Sequence, residues 1–183
     1  PWNTVAAGVG GTGVLTVTSL IAMAAHIEGK GCATLNQTGL AQKFGAVVSH
    51  VRVATTQQEI NAVRIPAGEA DLFIGCDLVV STGDEAMGKV AHGRTHALVN
   101  DHQQPTADFI RDPDAHFPAA SMREKISLEV GDHLEFVHAT DIALQLTGNA
   151  IGTNLFLLGL AWQRGWVPVS RQALDRAIEL NAV

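Results

Sequence analysis

The chain has 183 residues, a formal net charge of −6 and 16% charged side chains, against about 25% in an average soluble domain; 46% are apolar and the mean hydropathy is +0.16. That length predicts one domain with a full-sized core and excludes a complete multidomain enzyme. The 12 Lys and Arg are scattered, which excludes a nucleic-acid surface, and no apolar run approaches the roughly 20 residues of a membrane-spanning helix.

In chain order, Asn3 to Val9 is a β-prone run that enters a glycine cluster, and an apolar stretch of helical character follows from Thr12 to about Glu28. Strands are predicted at Cys32 to Leu35 and Val47 to Ala54, the second alternating with period two, with an irregular segment from Asn36 to Ala46 between them. Asp71 to Cys76 and His96 to Val99 read as further buried strands, separated by a helix around Asp84 to Ala91. Pro105, Pro113 and Pro118 interrupt the middle, so Asp101 to Ala119 is expected to be loop with at most one short helix near Phe109. A last strand at Leu134 to His138 precedes three helical segments: about Thr140 to Leu146, about Ile151 to Arg164, and Ser170 to the end, with Ser170 as N-cap.

This alternation predicts an α/β fold: a Rossmann-like open, mostly parallel sheet with helices on both faces and a helical C-terminal segment. The helix from Ile151 is apolar all round (Leu155, Phe156, Leu157, Leu158, Leu160, Trp162), so it requires burial against its own sheet and against something else. Together with the low charge, this predicts a surface partly covered by other protein. Residues 1–183 are expected to form a single domain. The opening Pro1-Trp2-Asn3 and a last helix running into Asn181-Ala182-Val183 suggest a piece of a longer chain.

Gly8-Val9-Gly10-Gly11-Thr12-Gly13 satisfies G-x-G-x-x-G at a strand-to-helix junction, where free N–H groups and the helix dipole favour an anion. A nicotinamide site should add an acid closing the second strand, and Asn36 and Gln37 stand there instead. Thr38 to Ala46 follows that strand and should share a crevice with the glycine turn. Within it, Gln42 and Lys43 are placed to grip an anionic or amide-bearing ligand, or equally another subunit. His50 and Arg52 share one face of their strand, read as a functional pair or as an exposed or salt-bridged sheet face. The P-loop and G-x-S-x-G patterns do not occur, and none of the eight histidines pairs with a Cys or carboxylate at a metal-ligand spacing, so no metal site and no catalytic residue is assigned. Cys32 and Cys76 form neither a disulfide framework nor a thiolate pair, which points to a reducing, cytoplasmic setting. Three readings stay open on the residues alone: an anion cradle, a stand-alone NAD(P)- or flavin-binding dehydrogenase domain, and a purely structural interaction module whose glycines serve packing.

Taken together and in order, Gly8 to Gly13, Thr38-Gly39-Leu40-Ala41-Gln42-Lys43-x-Gly45-Ala46, Ser49-His50-Val51-Arg52, Gly148-Asn149 and Asn154-x-x-x-Leu158-Gly159 resemble the gamma subunit or domain of 2-oxoacid:ferredoxin oxidoreductases. The likeness is greatest to indolepyruvate ferredoxin oxidoreductase, with Phe44 a departure where glycine is expected. The resemblance implies a role in oxidative decarboxylation of a 2-oxoacid to an acyl-coenzyme A, with electrons passing to ferredoxin. It implies that thiamine diphosphate and the iron-sulfur clusters sit on partner alpha/beta domains or subunits, and two separated cysteines cannot ligate a cluster. This domain then binds no cofactor tightly and helps form the coenzyme A approach, with Gly8, Gly10, Gly11, Thr12, Gly13, Gln42 and Lys43 lining the crevice.

Overall fold

The computed structural model describes residues 1–38, 45–102 and 118–181. Its strands are β1 (Trp2–Val9), β2 (Gly31–Thr38), β3 (Ala46–Ala54), β4 (Leu72–Gly75), β5 (His96–Asn100) and β6 (Leu134–Val137). The helices are α1 (Val14–Ile27), the short α2 (Leu78–Ser81) and α3 (Asp84–Met87), then α4 (Ala119–Val130), α5 (Ala139–Thr147), α6 (Thr153–Gln163) and α7 (Arg171–Asn181). None of them is long and apolar enough to cross a membrane.

The strands form one sheet in the order β2-β3-β1-β4-β5-β6. β4 pairs parallel with β1, and β5 and β6 continue in parallel, whereas β3 is antiparallel to both β1 and β2. Two reversals return β2 to the direction of β1, so five strands point one way and only β3 opposes them. The mostly parallel α/β sheet expected from the sequence is therefore present, with an antiparallel insertion that the periodicity did not reveal.

Alternation along the central strands sends side chains to two cores. Ala6, Leu72, Ile74 and Leu98 join Val17, Leu20 and Ile21 of α1, Leu157 and Leu158 of α6, and Leu174 of α7 on one face. Val5, Ala7, Phe73, Ala97 and Val99 meet Leu78, Met87, Ile126 and Val130 on the other. Helices thus cover both faces, and strands buried on both sides read as the continuous apolar runs seen in the sequence.

Several local expectations change. β2 continues through Asn36 to Thr38, because Asn36 pairs with Ser49 and receives the Ser49 hydroxyl at 2.6 Å. The helix at Asp84 stops at Met87, where Gly88 follows, and helix α4 begins where a loop was expected to end. Its buried side consists only of Ala119, Ile126 and Val130, too sparse an apolar stripe to stand out. The helix expected near Phe109 lies outside the described residues. His50 and Arg52 are neither exposed nor salt-bridged. Arg52 donates from Nε to Asn3 Oδ1 at 2.9 Å and from Nη1 to the Ala62 carbonyl at 2.7 Å. His50, fully buried, accepts the Ile65 amide on Nδ1 at 3.1 Å.

That acceptor role requires neutral imidazole with its proton on Nε2. Burial lowers the His50 pKa from 6.5 to about 4, with the cations Lys89 and Arg64 pushing the same way and Glu85 opposing. The folded pKa lies below the unfolded one, so this contribution to stability is complete above pH 6.5 and is lost as pH falls toward 4. Denaturant unfolding across that window should show wild type losing up to about 3 kcal/mol to this group. A His50→Gln variant should lose that part of the slope; an unchanged slope refutes the assignment.

Candidate functional site

The carboxyl ends of β1, β2, β4, β5 and β6 share one edge of the sheet, where an open α/β fold places its ligands. The glycine turn sits at the centre of that edge. Gly8 lies so close to its neighbours that a Cβ there would stand 2.7 Å from both Cys76 Cβ and Val14 Cγ2. Gly11 and Gly13 have φ of +85° and +91°, conformations that L side chains rarely adopt, and Gly13 opens α1 as a left-handed N-cap. The turn is fixed from both flanks. The Gly10 amide donates to the Gly45 carbonyl at 2.8 Å beside β3, and Asn154 Nδ2, from buried Asn154 on α6, donates to the Thr12 carbonyl at 2.8 Å.

A cleft of about 740 Å³ opens on the β4 side of this turn. Gly11, Thr12, Gly13 and Thr16 form one wall, Cys76, Asp77, Asn100 and His102 follow the ends of β4 and β5, and Thr140, Leu144, Ile151, Thr153, Asn154 and Leu155 close the far side. Of the residues predicted from the sequence, Gly11, Thr12 and Gly13 reach the cleft, while Gly8 and Gly10 support the turn from beneath and from the β3 side. Gln42 and Lys43 lie outside the described residues. On either side of them, Thr38 pairs with Val47, which pairs with Gly8, and the Gly45 carbonyl accepts the Gly10 amide.

Three further residues shape the cleft. Asn100 Nδ2 donates to the Cys76 carbonyl at 3.1 Å and to Thr140 Oγ1 at 2.9 Å, tying the ends of β4 and β5 to the start of α5. Asp77 caps α2, its Oδ1 accepting the Val80 amide at 2.8 Å, while buried Oδ2 meets no hydrogen-bond geometry among the described residues. Burial raises the Asp77 pKa, and the backbone N–H groups of Val80, Val9 and Val79 pull it back only in part. Asp77, Asn100 and Thr140 each stand just past, or within three residues of, a predicted strand end, a signal the sequence offers once those strands are placed.

β2 lies two places from β1 with antiparallel β3 between them, so Asn36 and Gln37 close a strand that is not adjacent to β1, whose parallel neighbour is β4, followed by Asp77. Asp77 does not present a ribose acceptor either, since one oxygen caps a helix and the other is buried against the turn. Nor does Cys76 offer a thiolate nucleophile: burial, with Asp77 beside it, pushes its thiol far above neutral pH. Among the described residues no group of three His, Cys, Asp or Glu side chains is arranged to hold a metal ion.

The family model described as "Pyruvate ferredoxin/flavodoxin oxidoreductase" matches residues 3–182. The chain is 26% identical over 182 residues to the "Indolepyruvate oxidoreductase subunit IorB" of Thermococcus kodakarensis, covering 98% of this chain and 86% of that one. Its fold is similar to the pyruvate oxidoreductase subunit PORC of Thermotoga maritima, with a TM-score of 0.64, 21% identity and 100% of this chain and 85% of that one covered. It is also similar, with a TM-score of 0.68 and 15% identity, to the 2-oxoglutarate:ferredoxin oxidoreductase of Magnetococcus marinus solved with 2-oxoglutarate, coenzyme A and succinyl-CoA bound. That match covers 98% of this chain and 27% of the other.

The two kinds of glycine separate on substitution. Gly8→Ala drives a methyl into the Cys76 and Val14 contact and should cost about 3 kcal/mol. Gly11→Ala meets no atom within 4 Å and should cost only about 1 kcal/mol of backbone strain. Equal losses in chemical denaturation would show that the turn is not packed as described.

Proposed function

The chain belongs to the pyruvate ferredoxin/flavodoxin oxidoreductase family, and we propose that it acts as a single gamma-type domain of a 2-oxoacid:ferredoxin oxidoreductase, with indolepyruvate the substrate that its curated relatives favour. In this reading it packs against thiamine diphosphate-binding alpha and beta domains or subunits and helps form the coenzyme A site. Thiamine diphosphate, the iron-sulfur clusters and delivery of electrons to ferredoxin belong to those partners. Two free cysteines fit a cytoplasmic setting.

The observation that carries this reading is a well-formed cleft at the carboxyl edge whose described lining includes a thiol of raised pKa, a helix-capping carboxylate and hydrogen-bonded amides. A suppressed thiol, a helix-capping carboxylate and saturated amides can position a ligand but cannot transfer an acyl group or an electron. Its rim is apolar, with Leu144 43%, Ile151 78% and Leu155 40% exposed, which suits completion by another protein surface. The similar structure that holds coenzyme A and succinyl-CoA carries the matching segment within a much longer chain. Gly8, Gly10, Gly11, Thr12 and Gly13 supply the cradle in this reading, and Gln42 and Lys43 complete it from the β3 side.

Thr16 faces the cleft from the first turn of α1, so a bulky replacement fills the space and leaves the glycine turn itself intact. In the assembled complex, Thr16→Trp should weaken coenzyme A binding at least about tenfold by isothermal titration. Unchanged affinity removes the cleft from the coenzyme A site. Equilibrium dialysis with NAD(P) and flavins addresses the dehydrogenase alternative, and we expect no sub-millimolar binding.

A further inference from the structure

Thr55 to Asp71 join β3 to β4 at the edge of the sheet opposite the cleft, and the one regular element in that stretch is the 3-10 turn Gln57–Glu59. A connection of that length with so little structure of its own is uncommon in a compact domain unless it binds something. From Thr55 to Arg64 every residue is exposed except half-buried Ile60, yet the stretch is fastened throughout. Thr56 and Glu59 close a capping box, with the Thr56 amide donating to Glu59 Oε1 at 3.0 Å. Gln57 Oε1 accepts the Cys32 amide at 3.0 Å, the Ala62 carbonyl accepts Arg52 Nη1 at 2.7 Å, and Arg64 pairs with Glu85 at 3.0 Å. The Ile65 amide, donating to His50, closes the series. An exposed stretch held this firmly loses little further freedom when another surface seats on it. Between Thr55 and Val63 the only charge is Glu59, and Val63 itself is 47% exposed.

Beneath this surface lies a cation that is not neutralised locally. Arg52 pairs with Asn3 at the end of β1 away from the glycine turn. It is buried and bonds only neutral groups, Asn3 Oδ1 and the Ala62 carbonyl, so that Nη2 has no hydrogen-bond partner among the described residues. The nearby acids are engaged elsewhere: Glu59 with Thr56, Asp71 with Arg94 at 2.8 Å, and Glu85 with Arg64 and Lys89. Glu69 offers Asn3 its backbone carbonyl at 2.9 Å. A buried charge is costly until an opposite charge meets it. Two copies joined through this face would bring Arg52 toward Arg52 while each Glu59 stays in its capping box, so charge favours a different chain that carries an acid.

On the reading that this chain works within a larger complex, we infer that Thr55 to Arg64 is a pre-ordered docking surface for another protein chain of that complex. The partner lays an uncharged surface over Val63 and brings a carboxylate to Arg52.

Hydrogen exchange measured on the chain alone and on the assembled complex tests this. The amides of Gln57 to Arg64 should exchange at least about tenfold more slowly in the complex. Val63→Asp and Asn61→Arg each place a charge at an exposed position; both should weaken association with the partner chains at least about tenfold and leave thermal unfolding of the chain alone unchanged. Arg52→Lys keeps the positive charge and Arg52→Gln removes it, so association should fall about tenfold further with Gln than with Lys. Equal exchange in the two samples, unimpaired assembly of both surface variants, or equal losses for Lys and Gln overturns the inference and leaves membership of the complex intact. A chain that sediments alone as a dimer with the same amides protected makes the occupant a second copy, which also overturns it. If the chain fails to associate with thiamine diphosphate-binding partners at all, the reading beneath the inference falls with it.

Discussion

The arrangement depends on a loop of chain held from two sides. Four residues separate the end of β1 from the start of α1, and the Gly10 amide ties them to Gly45 while Asn154 ties Thr12 to α6. The first bond joins the turn to the antiparallel hairpin and the second joins it to the C-terminal helices. The shape of the turn demands left-handed backbone at Gly11 and Gly13 and a missing side chain at Gly8. The G-x-G-x-x-G spacing is accordingly accounted for by close approach and backbone conformation before any ligand is considered. It states that something packs closely here.

Much of the fold was legible. Strands buried on both faces announced themselves as apolar runs, and α1 and α7 as periodic stripes, because burial and composition coincide there. The hairpin escaped, since pairing partners and strand direction leave no mark in one-residue-at-a-time periodicity: β2 and β3 look the same whether they flank β1 in parallel or in reverse. Helix α4 escaped for the opposite reason. It presents only three buried positions to the sheet and spends the rest of its length on solvent. The site divided similarly. Gly11, Thr12 and Gly13 were readable from the motif, whereas Asp77, Asn100 and Asn154 act through neighbours distant in sequence and become visible only once the strand ends are brought to one edge.

His50 and Arg52 show how a motif can carry architecture. Both had the look of functional residues, a base and a cation two apart on one strand. In the fold each secures the stretch that follows β3: Arg52 at the Ala62 carbonyl and His50 at the Ile65 amide. Burying a guanidinium is costly unless its hydrogen bonds are supplied, and Asn3 and the Ala62 carbonyl supply two of those of Arg52; His50 receives the Ile65 amide on Nδ1, while its Nε2 meets no partner among the described residues. Removing either side chain would release a segment that covers the face opposite α1, so such residues persist for reasons that have nothing to do with a ligand.

The same accounting explains why a domain of a redox family can be chemically quiet. An active centre needs a group whose proton affinity is tuned toward neutrality and which is open to substrate. Among the described residues the strongly shifted groups move the other way or are put to structural use: the Cys76 thiol is driven up and stays protonated, the His50 ring is driven down and stays neutral, the Glu28 carboxyl is driven down and accepts the Ser170 amide, and the Asp77 carboxyl caps a helix. What remains at the carboxyl edge is shape, hydrogen-bonding backbone and an apolar rim. In the proposed reading those properties would orient a long flexible carrier and exclude water around it, the contribution that a reaction run by cofactors on neighbouring domains still requires.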